Sequence, residues 1–600
     1  YIKIQYEEIL QKKTVKSSWS FVLLHCMQKE VRKEMTMDLS GVGFIAGWWA
    51  IVLVLLLLHH TGSGQSCNCD HIVPLAQENV NGTTLNLQPG DTICIQAGAR
   101  SNIYFKNIVG DSLNPVVVIN YGGSVVVANN NHVIGIKFSN SRYFRLTGTG
   151  VDTIPYGIKV LQTNTYANGI SLSDFSSNME IDHIEIANTG FAGIMCKTNP
   201  TCDRTANRGN FTMYDVSIHN NFIHHTGGEA MYIGHSSYSG YPTTCNGLPD
   251  TLFPHDIIGL KIFDNLIEYA GWDGIQVGCA IENCSIYGNR LINYGYLAEQ
   301  YHNAGIQMGG GTSGDCFNNY LIDGTGIGIN VFGIGNNTIY NNVIINAGLT
   351  FYPNDPTKYI HGIFCDDRST TPGRFFNFIN NTIVNTKTDG IRFSSAQSSN
   401  NQIVNNIIIN PGSLGNYTYP AQSYVRVTTG ASASVNRNFF APDQGTVKFR
   451  DTLAFNCRLL PDSPARDSGL NAQSLGVLID HDSLARPENN LYDMGAFEYH
   501  PENRWNGRSS SVWAEPTNWT KLGAPLNTDD VIIPANTTFS PVITIPGFVG
   551  NHLHIAPGAA LLLESGAGLT LEGNLVIEAG GFFTNHGLLI LRGDLINENP

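Results

Sequence analysis

Charge is scarce in this chain. Asp, Glu, Lys and Arg make up 14% of its 600 residues, with 34 basic and 48 acidic side chains and a net charge of −14. Downstream of the N-terminal segment no basic run interleaves with aromatics. That argues against a nucleic-acid partner, which needs clustered cations for its phosphates. No Cys/His spacing matches a zinc centre, and Cys67-x-Cys69 alone does not make one, so no metal ligands are assigned. The stretch from Gly41 to Leu58 is almost wholly apolar. Lys29, Arg32 and Lys33 precede it, and Gly62-Ser63-Gly64 follows. This pattern predicts a secretory signal over residues 35–64, cut before Gln65; an uncleaved membrane anchor is the alternative. Residues 1–34 are assigned no fold.

Glycine is abundant, at 63 residues, and Asn, Ile and Val are frequent. Such a composition suits many short strands joined by tight turns. One frame, apolar–x–x–Asn–x–apolar, recurs around Asn221, Asn265, Asn289, Asn319, Asn342, Asn381 and Asn406. The intervals run from 23 residues (Asn319 to Asn342) to 44 (Asn221 to Asn265), the range of solenoid repeats. Asn tolerates a left-handed backbone, so each of these asparagines is expected to make one bend per repeat. A small–apolar step follows the Asn, at Met231, Ile275, Ile306, Ile329, Ile363 and Ile391. In two repeats it comes late, which makes Asn293 to Asn303 and Ala347 to Ile360 loops inserted at one corner. Three short strands and three turns per coil are predicted.

The pattern resembles the right-handed parallel β-helix of the pectate-lyase-like superfamily, over roughly residues 85–430. Leu87-Gln88-Pro89-Gly90-Asp91-Thr92-Ile93 and Asn114-Pro115-Val116-Val117-Val118-Ile119 are similar to first coils of such proteins. The resemblance implies an all-β fold and an extracellular protein that acts on or binds polysaccharide. The superfamily contains lyases, hydrolases, adhesins and spikes, so fold alone does not choose among them. No catalytic motif of pectate lyases or polygalacturonases is matched residue by residue.

The domain plan is a β-helix over 65–430, a closing segment over 431–500 and a second, smaller β-solenoid or sandwich over 501–600. Ser463 to Gly469, Asp480, Arg486-Pro487 and Asp493 to Tyr499 are similar to closing segments of bacterial secreted β-helix proteins. They are expected to cover an open solenoid end with internal ion pairs. Cys67, Cys69 and Cys94 cluster near the start and are candidates to staple it, with connectivity left open. Cys196, Cys202 and Cys245 share neighbouring loops, Cys279 and Cys284 are close in sequence, and Cys316 and Cys365 are expected as buried thiols.

Register then places candidate chemistry. If the apolar residue of the small–apolar step points inward, the next points outward. That outer column reads Met195, Tyr232, Gln276, Gln307, Asn330, Phe364 and Arg392. Amides, aromatic rings and an Arg suit sugar, so Tyr232, Gln276, Gln307, Asn330 and Phe364 are the candidate substrate contacts; an ordinary polar wall is the alternative. A second column, two residues before the inward position, carries Glu229, Asp273, His361 and Asp389. With Arg392 these are the candidate catalytic residues. Paired carboxylates would serve acid and base roles, or would hold a calcium ion that neutralises a uronate. Asp before Gly-Ile is also ordinary turn chemistry. Lys197, His302 and Asp366-Asp367-Arg368 border the same face. Two functions stay open: a lyase or hydrolase of a uronate-containing or other glycan, and a non-catalytic adhesin or spacer. A monomer is expected, with no membrane contact beyond the signal segment.

Overall fold

The computed structural model describes residues 68–129, 131, 134–349, 358–413, 423–488 and 491–600. The signal segment, Cys26, Cys67 and part of the second inserted loop lie outside the described residues. Among the described residues no helix is long and apolar enough to cross a membrane.

The main body is a right-handed parallel β-helix. Each coil lays down three strands, for example Asp256–Phe263, Leu266–Ala270 and Ile275–Val277. The first two belong to one 24-stranded sheet that bends at a corner, and the third belongs to a 12-stranded sheet. Every rung of the 12-stranded sheet for which a register is given is parallel, so Ile194, Met231, Ile275, Ile306, Ile329, Ile363 and Ile391 stack in one fully buried file. Each such side chain contributes roughly 1.5–3 kcal/mol of burial. The small residue before it is small for a steric reason. A Cβ on Gly274 would lie 2.4 Å from Leu291 Cδ2 and 2.6 Å from the Gly305 carbonyl of the next coil.

The asparagines stack as one ladder. Asn265 donates from its backbone N–H (3.2 Å) and from Nδ2 (2.9 Å) to Oδ1 of Asn289. Asn342 does the same to Asn381 and Asn381 to Asn406. The expected left-handed bend, however, is not on these residues. It sits one position earlier, on Asn220, Asp264, Gly288, Asn318, Asn341, Asn380 and Asn405. The ladder Asn is needed for its amide, which closes the turn and reaches the neighbouring coil, whereas the preceding residue takes the strained backbone. The ladder also has a further member, Asn438, and the coils run on to Phe439–Ala441, past the expected boundary at 430.

The segment after the coils does not lie across an open end. It runs along the outside of the corner, where the left-handed asparagines hold it. Asn318 donates to the Asp480 carbonyl (3.2 Å), Asn341 to Ile479 (2.7 Å), Asn380 to Asp493 (2.8 Å) and Asn405 to Leu470 (2.8 Å). Ala496, Phe497 and Met494 pack on Val343, Ile345 and Ile407 of the coils. Within it Arg486 meets Glu498 at 2.8 Å with both side chains buried, whereas Arg450 pairs outward with Asp529 of the following module at 2.6 Å.

Residues 502–597 form a narrower solenoid of three parallel sheets of five, three and three strands. Trp505, Trp513 and Trp519 cluster at its start. Cys69 pairs with Cys94, and Cys202 with Cys245. Cys196, Cys279, Cys284, Cys316 and Cys365 are buried free thiols.

Candidate functional site

The outward face of the 12-stranded sheet carries the predicted column in unbroken register. Met195 pairs with Tyr232, Tyr232 with Gln276, Gln276 with Gln307, and so on through Asn330, Phe364 and Arg392. The register continues one coil further, to Arg426. The repeated apolar–Arg–apolar step at Ile391-Arg392-Phe393 and Val425-Arg426-Val427 was the available signal for that second arginine.

Gln307, Asn330, Phe364 and Arg392 line one pocket of about 440 Å³, together with His361. Both inserted loops wall it. Gln300, Tyr301 and Asn303 come from the first, and Lys358, Tyr359 and Ile360 from the second. They meet here because both insertions leave the coil before the same strand. Arg368 completes the rim, its guanidinium 3.8 Å from the ring centre of Phe332 and its Nε 3.2 Å from Asp366.

His361 and Asp389 sit on adjacent coils behind this wall, both nearly fully buried. The Thr388 hydroxyl lies 2.7 Å from the Ile360 carbonyl and 2.8 Å from His361 Nδ1, and the Asp389 backbone N–H donates to the same Nδ1 at 3.4 Å. These contacts hold the imidazole in place within the wall. Burial, and then the charges of Arg392 and Arg426, hold His361 well below its ordinary pKa. The ring is therefore neutral near pH 7. Asp389 is fully engaged. Arg426 Nε donates to both of its oxygens at 3.1 Å and the Ser423 N–H to one at 2.9 Å. Arg392 lies 3.9 Å from it. An Asp so occupied orients its neighbours and is poorly placed to move protons itself.

Glu229 and Asp273 lie further along the same column and do not reach this pocket. Tyr232 and Gln276 accompany them, joined through Ser236 at 2.6 and 3.0 Å, with Lys197 4.1 Å above the Tyr232 ring. Glu229 Oε2 and Asp273 Oδ2 are buried without a hydrogen-bond partner. Burial pushes the Glu229 carboxyl up to about 7. Asp273 is raised well above its usual range by burial and then by the Glu229 charge. His302 covers them, 3.9 Å from Glu229 and 5.1 Å, ring to ring, from Trp272. Among the described residues no third His, Cys or acidic ligand atom gathers with those of Glu229 and Asp273. One acidic group with such a cluster, Glu180, Asp182 and His219, is already neutralised by Arg145 at 3.0 and 2.7 Å.

The comparisons with known proteins fall on fold and on one module. Residues 504–598 match a family model described as a domain of unknown function, DUF8693. No curated protein matches the chain. Among solved structures, the GH136 lacto-N-biosidase from Eubacterium ramulus is similar at 12% identity and a TM-score of 0.39, over 60% of this chain and 63% of that one. The chain thus spans under two thirds of that protein. The pectate lyase Pel9A is similar at 14% identity and TM-score 0.35, over 72% of this chain and 98% of that one. The PL6 family alginate lyase AlyGC is similar at 13% identity and TM-score 0.35, over 87% and 76%.

Proposed function

We propose that this is an exported enzyme that binds an anionic polysaccharide along the outer column and cleaves it by β-elimination. The observation that carries the reading is a neutral, oriented His361 beside Arg392 in one loop-walled pocket. Arg392 and Arg368 would hold and neutralise a uronate carboxylate, which acidifies the proton on the adjacent carbon. The unprotonated ring nitrogen of neutral His361 would accept that proton, and the electron pair would form the new double bond and expel the glycosidic oxygen, which takes up a proton from solvent. Gln307, Asn330 and Phe364 would hold the sugar rings. Similarity to lyases and a glycosidase of the same fold agrees with a glycan-acting protein without choosing its bond. A second reading is hydrolysis at Glu229 and Asp273, favoured by their unpartnered, proton-retaining carboxyl groups.

The test is an assay of the protein on polygalacturonate, alginate and neutral glucans and xylans. Eliminative cleavage gives products with new ultraviolet absorbance; hydrolysis gives reducing ends without it. Loss of the absorbance signal in Arg392→Ala and His361→Gln supports the elimination site. Full activity in both variants removes it. Hydrolytic products abolished by Asp273→Asn transfer the chemistry to the second pair.

A further inference from the structure

The first inserted loop, Asn293 to Asn303, is fastened to the coils at both ends. At its start Gly295, Tyr296 and Leu297 donate backbone N–H groups to the carbonyls of Trp272, Ala270 and Gly271 at 3.0, 3.0 and 3.1 Å. Just past its end the Ala304 N–H donates to Asp273 Oδ1 at 2.7 Å. Between these anchors the loop sends Gln300, Tyr301 and Asn303 into the groove pocket. Tyr301 is 80% exposed, so its own ring does little to hold the crest of the loop down.

His302 lies beneath that crest. Its ring stands 5.1 Å from that of Trp272, and its Nδ1 3.9 Å from Glu229 Oε1. Three buried polar atoms of this group have no hydrogen-bond partner: His302 Nδ1, Glu229 Oε2 and Asp273 Oδ2. A charged carboxylate left in that state is costly, whereas a carboxyl that keeps its proton costs far less. Burial raises Glu229 to about 7, against the smaller pull of its own backbone N–H and of Lys197 on the preceding coil. Asp273, on the following coil, is raised by burial and then by Glu229. Glu299, the one carboxylate of the loop itself, is exposed. A carboxyl raised by its cover returns towards its ordinary value when the cover lifts. Each unit of that difference is a factor of ten in the opening equilibrium once the proton has gone, so rising pH favours the lifted loop.

We infer that Glu229, Asp273 and His302 form a clasp of positioning residues, which holds the first loop in the groove wall while Glu229 is protonated and releases it when that proton is lost. The groove is then fully walled in mildly acidic medium and open at its first loop above neutrality. This consequence for the groove rests on the reading of the groove as the reactive site; the clasp itself does not. The same pair of carboxyls would here steady a wall instead of serving as acid and base in hydrolysis.

The test is hydrogen exchange on the whole protein, followed in the peptide covering residues 296–304 and divided by the intrinsic rate at each pH. It needs no substrate. Between pH 5 and pH 7.5 the opening constant of the loop is expected to rise at least about tenfold, while the ladder amides of Asn342 and Asn381 stay level. Glu229→Gln keeps the shape without the titration and should abolish the rise. His302→Ala removes the cover, so the loop should exchange faster at pH 5 and vary less with pH; this variant carries the test if Glu229→Gln does not fold. A pH-independent opening constant in the parent overturns the clasp, and so does a rise that persists in both variants. Loss of hydrolytic products in Asp273→Asn with loop exchange unchanged also overturns it, because the pair would then be catalytic. The two readings fail separately: absence of cleavage strikes the groove and not the clasp, and a flat exchange profile strikes the clasp and not the groove.

Discussion

Asn319 accepts two hydrogen bonds from Asn289 through a single atom. The backbone N–H of Asn289 reaches Oδ1 at 3.1 Å, and its Nδ2 reaches the same oxygen at 3.0 Å. Asn289 Nδ2 also donates to the Ile262 carbonyl at 2.9 Å, so one side chain fastens three consecutive coils. Replacement by Leu keeps the branched shape and the backbone N–H bond to Asn319 but removes the Nδ2 bonds and the Oδ1 that accepts from Asn265, leaving the Ile262 carbonyl and the Asn265 backbone N–H without these partners.

Asn289→Leu is therefore expected to destabilise the solenoid by about 1–3 kcal/mol. Urea unfolding followed by far-ultraviolet circular dichroism measures it. An unchanged midpoint would show that the ladder is decorative.

The closing segment gives a different expectation. Asn380 donates to the Asp493 carbonyl at 2.8 Å and to that of Gly495 at 3.1 Å. Asn380→Gly keeps the left-handed backbone and removes both bonds. Amide exchange should accelerate across residues 491–499 while the ladder amides of Asn342 and Asn381 stay protected. Acceleration throughout the coils would mean that the segment supports the whole solenoid.

Glu229 makes stability depend on pH. Its folded pKa is about 7, above the ordinary 4.5, so between those values the folded state holds a proton that the unfolded state has released. Stability from this group is greatest below about pH 4.5, declines as pH rises, and is level above 7. Two and a half units correspond to a loss of about 3 kcal/mol at most. Glu498 is raised to about 7 as well and adds the same trend. The measurement is therefore a difference: Glu229→Gln should lose less stability than the parent between pH 5 and 7.5. Parallel melting curves would place Glu229 in contact with water.

In the groove, Arg392→Lys keeps the charge and loses the planar fork. If Arg392 clamps a carboxylate, kcat/KM on an acidic glycan should fall by about 10²-fold in Arg392→Ala and remain substantially reduced in Arg392→Lys. Equal activity of the lysine variant and the parent would reduce Arg392 to a long-range charge.

Periodicity made the coils legible. Inward and outward alternation is fixed by strand geometry, so the step at Ile275 sufficed to place Gln276 beside Gln307. The left-handed residue lies one position before the expected one because Asn serves two purposes in adjacent positions, and Asn341-Asn342 or Asn380-Asn381 look alike in sequence. Burial was not legible either. Nothing in Asp273-Gly274-Ile275 or Asp389-Gly390-Ile391 distinguishes an orphaned carboxyl from one clamped by an arginine 37 residues later. The lateral course of the closing segment was hidden for a related reason. Its partners are side chains of Asn318, Asn341, Asn380 and Asn405, which local sequence assigns to turns.

The ladder also determines how this molecule can change in length. Every rung offers the same donor pair forward and the same acceptor backward, so any coil can follow any other. Excising the 24 residues that separate Asn265 from Asn289 would bring Asn265 directly against Asn319, with the chain of amides unbroken. Growth and shrinkage of the fold are therefore quantised in whole turns. Each turn would add or remove one outward residue from the groove, about 4.8 Å of its length, while corner insertions alter its walls and leave its span alone. A polymer-binding surface with such a ruler can be retuned to longer or shorter chains by duplication or loss of a single repeat.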